Sequence, residues 1–354
     1  MSAPLIVQFC WTTADDAAFE QVVPLAWHGH HLRQQGWSNG IVLCFLEGLD
    51  RLSPTYRAGL ERLGYHLVDG AVAVTRALAR HPQLRAVKTT SRFWFLRWNV
   101  LGELVAEHGG SGAIHLDGDV VLMADPAELA RDVTGKTFVL QGCPAFTVIH
   151  DPSWYDVWET ELDRLLADRG AYLQEALRLK AEPLRPDREW YNLCAYGPGR
   201  FEDQDLIEYL VAAGRLPQAR TAEAVGSRFY WIQNPLFPGD WFAEQADGGG
   251  DCRIHEQDGL SYVGYRQVAL YHLQTDFTSY CSGWLALNSV GMEQSSAALL
   301  RRSLLSPRYS PLVRAALGVL GWNRSRRQVC EAVFAPVSRG GRRLITDIVN
   351  SCWG

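Results

Sequence analysis

Apolar and polar positions alternate along this chain in blocks. Leu5 to Trp11 is an apolar run interrupted only by Gln8; Thr12-Thr13-Ala14-Asp15-Asp16 follows, then a segment from 17 to 35 with helical spacing. Strand, polar loop and helix in that order open an α/β domain. Gly40 to Leu46 predicts a second buried strand, Leu49 to Leu63 a helix starting near Ser53-Pro54, and Tyr65 to Val68 a third, short strand. Lys88 to His108 predicts an amphipathic helix, capped by Thr89, Thr90 or Ser91 and ended by Gly109-Gly110. Ala113 to Met123 reads as a strand, a tight acidic turn at Asp117-Gly118-Asp119, and a second short strand. Phe138 to Gln141 and Phe146 to Ile149 are strand-like, Ser153 to Lys180 reads as one long helix, and Pro183 to Pro186 is a break. A helix over 204–213 is opened by Glu202-Asp203, Val268 to Leu273 is a late strand, and the chain after about residue 283 has a helical pattern. Such alternation implies an α/β, Rossmann-like fold with a mostly parallel sheet covered by helices on both faces.

Composition narrows the classes. The chain has 354 residues, 47% hydrophobic and 21% charged, which suits a well-buried core and excludes collagenous, coiled-coil and largely disordered readings. A net charge of −5 argues against general binding of nucleic-acid phosphates. The charge is uneven: from 301 to 354, ten arginines stand against Glu331 and Asp347, so this tail carries +8 and the rest of the chain −13. The tail is expected to pack its arginines on an acidic body, with peripheral contact to an anionic membrane surface as the alternative. The start lacks a basic region before its broken apolar run, and Leu312 to Trp322 contains Arg314 and is too short to span a bilayer. Eight dispersed cysteines without a Cys-x-x-Cys pair point to reduced, buried thiols. A cytoplasmic protein is expected.

The candidate chemistry sits in Ile114-His-Leu-Asp117-Gly-Asp119-Val-Val, where two carboxylates end an apolar strand. At that edge of an open α/β sheet, paired carboxylates can hold a divalent cation that neutralises phosphate oxygens. The plain alternative is a hairpin in which Asp-Gly only supplies turn geometry.

Arg92 and Arg97 on the preceding helix, Gly109-Gly110, and Asp117-x-Asp119 together resemble the donor half of GT-A glycosyltransferases. The inserted Ser111-Gly112 departs from the tighter spacing of some members. Glu202-Asp203-Gln204-Asp205-Leu is similar to a stretch in glycogenin-like transferases whose acidic and amide groups contact the donor sugar, and Tyr271-His272-Leu273 to a late strand whose His completes the metal site. The resemblance implies a metal-dependent transfer of a sugar from a nucleotide-sugar, a UDP-sugar by family frequency, to a glycan or glycoconjugate, and leans towards a retaining outcome. It implies Asp117, Asp119 and His272 as ligands of Mn2+ or Mg2+, with Asp117 bridging to ribose. Asp203, Gln204 and Glu202 are its catalytic candidates; Glu202 or Asp203 would serve as base if the enzyme inverts. Thr13, Asp15, Lys88 and Arg92 are its candidates for the nucleotide. The catalytic domain would span 1–284, with a donor half to about 125 and an acceptor half to 284, followed by a basic helical region over 285–354.

Each candidate has a structural alternative. Asp15 and Glu202-Asp203 suit helix starts, Lys88 lies beside one, and His272 on an apolar strand suits a hydrogen-bonded core histidine. His28, His30 and His31 share no single helix face, sit far in sequence from the other motifs, and are expected to be packed or solvated. Thirteen tryptophans, several near 190, 231, 241 and 284, could include a sugar-stacking shelf, though most tryptophans are structural. Two other functions fit the central motif. In a haloacid-dehalogenase-like phosphatase Asp117 would be nucleophile and Asp119 acid/base, but there the motif normally opens the fold. A non-catalytic carbohydrate-binding protein of GT-A fold would bind sugar irrespective of metal.

Overall fold

The computed structural model describes residues 4–13, 23, 25–108, 112–118, 120–181, 202–226, 228–231, 254–258 and 260–272. Asp15, Asp119, the tryptophans near 190, 241 and 284, and the basic tail lie outside the described residues.

The strands are β1 (Leu5–Trp11), β2 (Val42–Glu47), β3 (His66–Asp69), β4 (Ala113–Leu116), β5 (Val120–Leu122), β6 (Phe138–Val139), β7 (Phe146–Ile149), β8 (Phe229–Trp231), β9 (Ile254–Gln257), β10 (Leu260–Val263) and β11 (Arg266–His272). The helices are α1 (Leu25–Gln34), α2 (Pro54–Arg62), α3 (Ala71–Arg80), α4 (Thr89–Glu107), α5 (Pro126–Asp132), α6 (Ser153–Ala167), α7 (Arg169–Ala181), α8 (Asp203–Ala212) and α9 (Thr221–Ala224). The main sheet runs β3-β2-β1-β4-β7-β6. Its first four strands are mutually parallel, whereas β7 is antiparallel to β4 and β6 to β7.

β1 is continuous in hydrophobicity because both its faces are covered. Val7 and Phe9 pack in one core with Leu96 and Trp98 of α4, Trp154 and Trp158 of α6 and Leu206 of α8. Ile6 and Cys10 point the other way, into a core with Leu25 of α1, Leu60 of α2 and Phe229 of β8. Complete burial of a side chain such as Leu96 contributes about 1.5–3 kcal/mol, which is why the apolar stripe of α4 decides its position. No helix among the described residues is long and apolar enough to cross a membrane.

Several expectations change. α4 begins at Thr89 with Lys88 as N-cap and no side-chain cap; the Thr89 hydroxyl instead accepts from Arg92 at 3.1 Å. The long helix over 153–180 is two helices broken at Asp168, whose carboxylate accepts the Ala171 N–H at 3.0 Å and starts α7. β4 and β5 are not a hairpin: β4 belongs to the main sheet, and β5 heads a second sheet, β5-β11-β10-β9, with β8 beside β11.

An ionic clasp between a buried histidine and two acids at the surface ties the end of α3 to α6. His81 is 2% exposed, and its ring nitrogens face Asp163 at 3.0 Å and Glu159; Asn99 of α4 donates to Glu159 at 2.6 Å. Burial works to lower the His81 pKa, but Glu159 and Asp163 outweigh it and raise it. A raised histidine pKa stabilises the fold below the ordinary value of about 6.5, and that contribution is lost as pH rises through the folded value. His81→Gln is therefore expected to lower stability by about 1–2 kcal/mol at pH 6, and by less at pH 9, in urea unfolding at the two pH values.

Candidate active site

The order β3-β2-β1-β4 makes the gap between β1 and β4 a topological switch point, and ligands bind such sheets in the crevice beyond the carboxyl ends of the strands. β1 ends there at Trp11, followed by buried Thr12 and exposed Thr13, and β4 ends at Leu116, directly before Asp117. The turn after β2 comes so close that Gly48, with φ of 88°, would place a Cβ 2.0 Å from the Thr12 carbonyl oxygen. Only glycine fits both that backbone and that approach.

The backbone of Asp117 is pinned from three sides. Its N–H donates to Ala145 O at 2.8 Å, and its carbonyl accepts the Gln8 side-chain amide at 3.0 Å and the Val120 N–H at 3.1 Å. Its carboxylate forms an ion pair with Nη1 of Arg97. Nε and Nη2 of Arg97 donate to Asp203 Oδ2 at 2.9 and 2.7 Å, and Trp98 Nε1 donates to the same oxygen at 2.8 Å. Arg97 and Asp203 are buried, while the Asp117 side chain keeps 25% of its surface exposed.

Burial works to raise the Asp117 pKa, but Arg97, followed by His115 and then His272, holds it below the ordinary carboxylate value. Burial pushes Asp203 upward, with Arg97 and the Trp98 N–H pulling against it. Burial disfavours the Arg97 charge, and the two carboxylates overcome that and raise its pKa. His115, two residues before Asp117 on the same strand face, lies 4.5 Å from the Trp98 ring and 5.8 Å from the Phe9 ring. Burial and Arg97 lower its pKa to about 3, so it is neutral. Its Nδ1 faces Pro144 O at 3.1 Å, which assigns the proton to Nδ1, and Nε2 stands 3.7 Å from Asp117 Oδ1.

The second sheet brings a distant residue to this turn. β11 pairs antiparallel with β5, setting His272 opposite Val120, Tyr271 opposite Val121 and Leu270 opposite Leu122. His272 is buried and close enough to act electrostatically on Asp117. β5 is held from its other side by His28 of α1, whose Nε2 accepts the Leu122 N–H at 3.1 Å. Burial lowers the His28 pKa to about 3, which keeps it neutral as an acceptor requires. His28 is packed, as expected for this histidine cluster, and although far in sequence from the acidic motif it supports β5, the strand that follows that motif.

No family model and no curated protein matches this chain. Among solved structures, mouse xyloside xylosyltransferase 1 in its apo form matches over 76% of this chain and 97% of its own, at 10% identity and a TM-score of 0.39.

Of the sequence-predicted residues, Asp117, Asp203 and His272 come together. Glu202 is the N-cap of α8, its N–H donating to Asp205 Oδ2 at 2.8 Å, and exposed Gln204 donates to Glu208 at 2.9 Å. Lys88 is exposed and Arg92 half-buried; among the described residues no hydrogen bond or ion pair joins Thr13, Lys88, Arg92 or Gln204 to Asp117 or Asp203. No three His, Cys, Asp or Glu side chains among the described residues are grouped to hold a metal, and Asp119, the third expected ligand, is outside them. Trp231 is fully buried and offers no shelf to a sugar. No sequence motif marks the bridging function of Arg97 or the place of His115 beside Asp117. The signal for Arg97 was a single charge within the apolar run Phe93-Trp-Phe-Leu-Arg97-Trp, which requires a buried counter-charge.

Proposed function

We propose that this chain is a metal-dependent glycosyltransferase of GT-A type, moving a sugar from a UDP-sugar to a glycan or glycoconjugate with retention. The observation that supports this most is the convergence of Asp117 and His272, from separate sheets, at the switch point between β1 and β4. An ionised carboxylate and an imidazole offer the oxygen and nitrogen donors that suit manganese or magnesium. Asp117, Asp119 and His272 would hold the ion, and its chemistry would be to offset the charge that develops on the departing diphosphate.

The chain's own groups prepare that site. Arg97 keeps Asp117 ionised at neutral pH, and Gln8 with Val120 fixes its backbone, so little reorganisation is left for the moment of reaction. Neutral, fully buried His115, packed against Phe9 and Trp98, stands 3.7 Å from the Asp117 carboxylate and gives it a low-dielectric inner side, which strengthens the charge interactions there. Thr13, directly after β1, would meet the base and ribose, with Asp15, outside the described residues, as the further candidate.

Calorimetric titration of UDP, with and without manganese, tests the proposal on the intact protein and on Asp119→Ala. Metal-dependent binding in the first and none in the second is the expected result. No nucleotide binding under any metal condition overturns it, and phosphomonoesters become the next ligands.

A further inference from the structure

We propose that Asp203 does not touch the donor but anchors a relay, Asp203–Arg97–Asp117, that fixes the Asp117 carboxylate at the crevice. The relay as geometry stands on its own; its binding readout rests on the glycosyltransferase reading above. Asp203 is 2% exposed, and a single oxygen, Oδ2, receives three N–H groups, two from Arg97 and one from Trp98. α4 delivers these donors from adjacent positions, and Trp98 is fully buried, so the acceptor oxygen is caught between two immobile side chains. α8 fixes the other end. Asp203 is its first residue, where the helix dipole favours an anion, and the Asp205 carboxylate accepts the preceding Glu202 N–H.

The guanidinium then has no freedom left. Its Nε–Nη2 edge is committed to Asp203 and its Nη1 to Asp117, so a planar fork spans two acids 86 positions apart in the chain. A lysine ammonium could not serve both in this geometry. Two acids share one cation, which leaves one negative charge in excess, and of the two only Asp117 reaches solvent. The excess charge is thus displayed at the crevice, at an oxygen whose position is set from inside the protein. Asp203 and Arg97 are positioning residues on this reading.

The test is UDP affinity in the presence of manganese for the intact protein, Asp203→Asn, Arg97→Lys and the double variant. The asparagine keeps an oxygen for Trp98 and Arg97 but gives up the charge. The relay expects each single variant to weaken UDP itself by about tenfold, or about 1.4 kcal/mol, and the double variant to be no weaker than Arg97→Lys alone. Direct contact of Asp203 with the sugar would leave UDP affinity unchanged in Asp203→Asn, and independent roles would make the two losses multiply; either result overturns the relay. Should Asp203→Asn not fold, Trp98→Phe removes one donor without removing a charge. A measurable loss of UDP affinity supports the relay there, and unchanged affinity overturns it. If the intact protein binds no UDP, the glycosyltransferase reading fails separately and the relay is read from thermal unfolding. Asp203→Asn and Arg97→Lys are then expected to destabilise non-additively, and additivity overturns the relay.

Discussion

Arg97→Met is expected to destabilise the protein by about 3–5 kcal/mol, the cost of leaving buried charge without its partner. The substitution keeps most of the side-chain volume within α4, so packing beside Trp98 is largely retained and the loss reports on charge. Asp203 would be left with the Trp98 N–H alone, and Asp117 would lose its ion pair. The pH dependence gives the prediction a sign. Burial already pushes the Asp203 pKa upward while Arg97 opposes it, so removing Arg97 raises it further. A carboxyl whose folded pKa lies above its unfolded value destabilises when ionised and recovers as pH falls through the folded value. The deficit relative to the intact protein should therefore be largest at pH 7–8 and shrink on acidification, in urea unfolding at several pH values. A deficit independent of pH would mean that lost packing dominates.

Why the bridging of two acids by Arg97 became visible only in the structure also explains how much of the molecule its sequence carries. β1, β4 and α4 are legible because each is a long or continuous apolar run, and such runs are buried on both faces or along one stripe. The switch-point site followed, since Asp117 ends one of those runs. Local patterns were less informative where a long-range partner decides. Asp117-Gly118 is good hairpin chemistry, yet β4 and β5 part into two sheets because His272, Tyr271 and Leu270 claim β5. The helical periodicity over 153–180 passes through Asp168 unbroken, although Asp168 leaves helical geometry to cap α7. α3 (Ala71–Arg80), with its valines, and the β9–β10 hairpin carried no signal strong enough to read. Among the candidate site residues, the paired carboxylates at a strand end drew attention to Asp117, and the resemblance to GT-A transferases to Asp203 and His272, but neither indicated that Asp203 is enclosed. Enclosure depends on where α8 meets α4, and nothing in either segment records that.

Asp117→Asn separates binding from folding most sharply. The asparagine retains an oxygen for Arg97, so the backbone bonds to Gln8, Ala145 and Val120 and the Arg97–Asp203 pair persist. What disappears is a charge that Arg97 stabilises, as the lowered pKa of Asp117 indicates. A depressed carboxylate pKa contributes stability above its unfolded value and loses it as pH falls through the folded value, so the neutral variant forgoes that share at pH 7. The cost is about 1 kcal/mol, because one charge-assisted bond becomes a neutral one in a partly exposed position. Manganese-dependent UDP affinity, by contrast, is expected to fall at least about 100-fold, roughly 2.7 kcal/mol, since within the Asp203–Arg97–Asp117 relay the Asp117 carboxylate is the charged group that reaches the crevice. Loss of binding well beyond loss of stability is the pattern of a group retained for its ligand rather than for the fold. Paired calorimetry and thermal unfolding decide the matter: wild-type affinity in a folded Asp117→Asn would assign the Asp117 charge to Arg97 alone and remove it from the donor site.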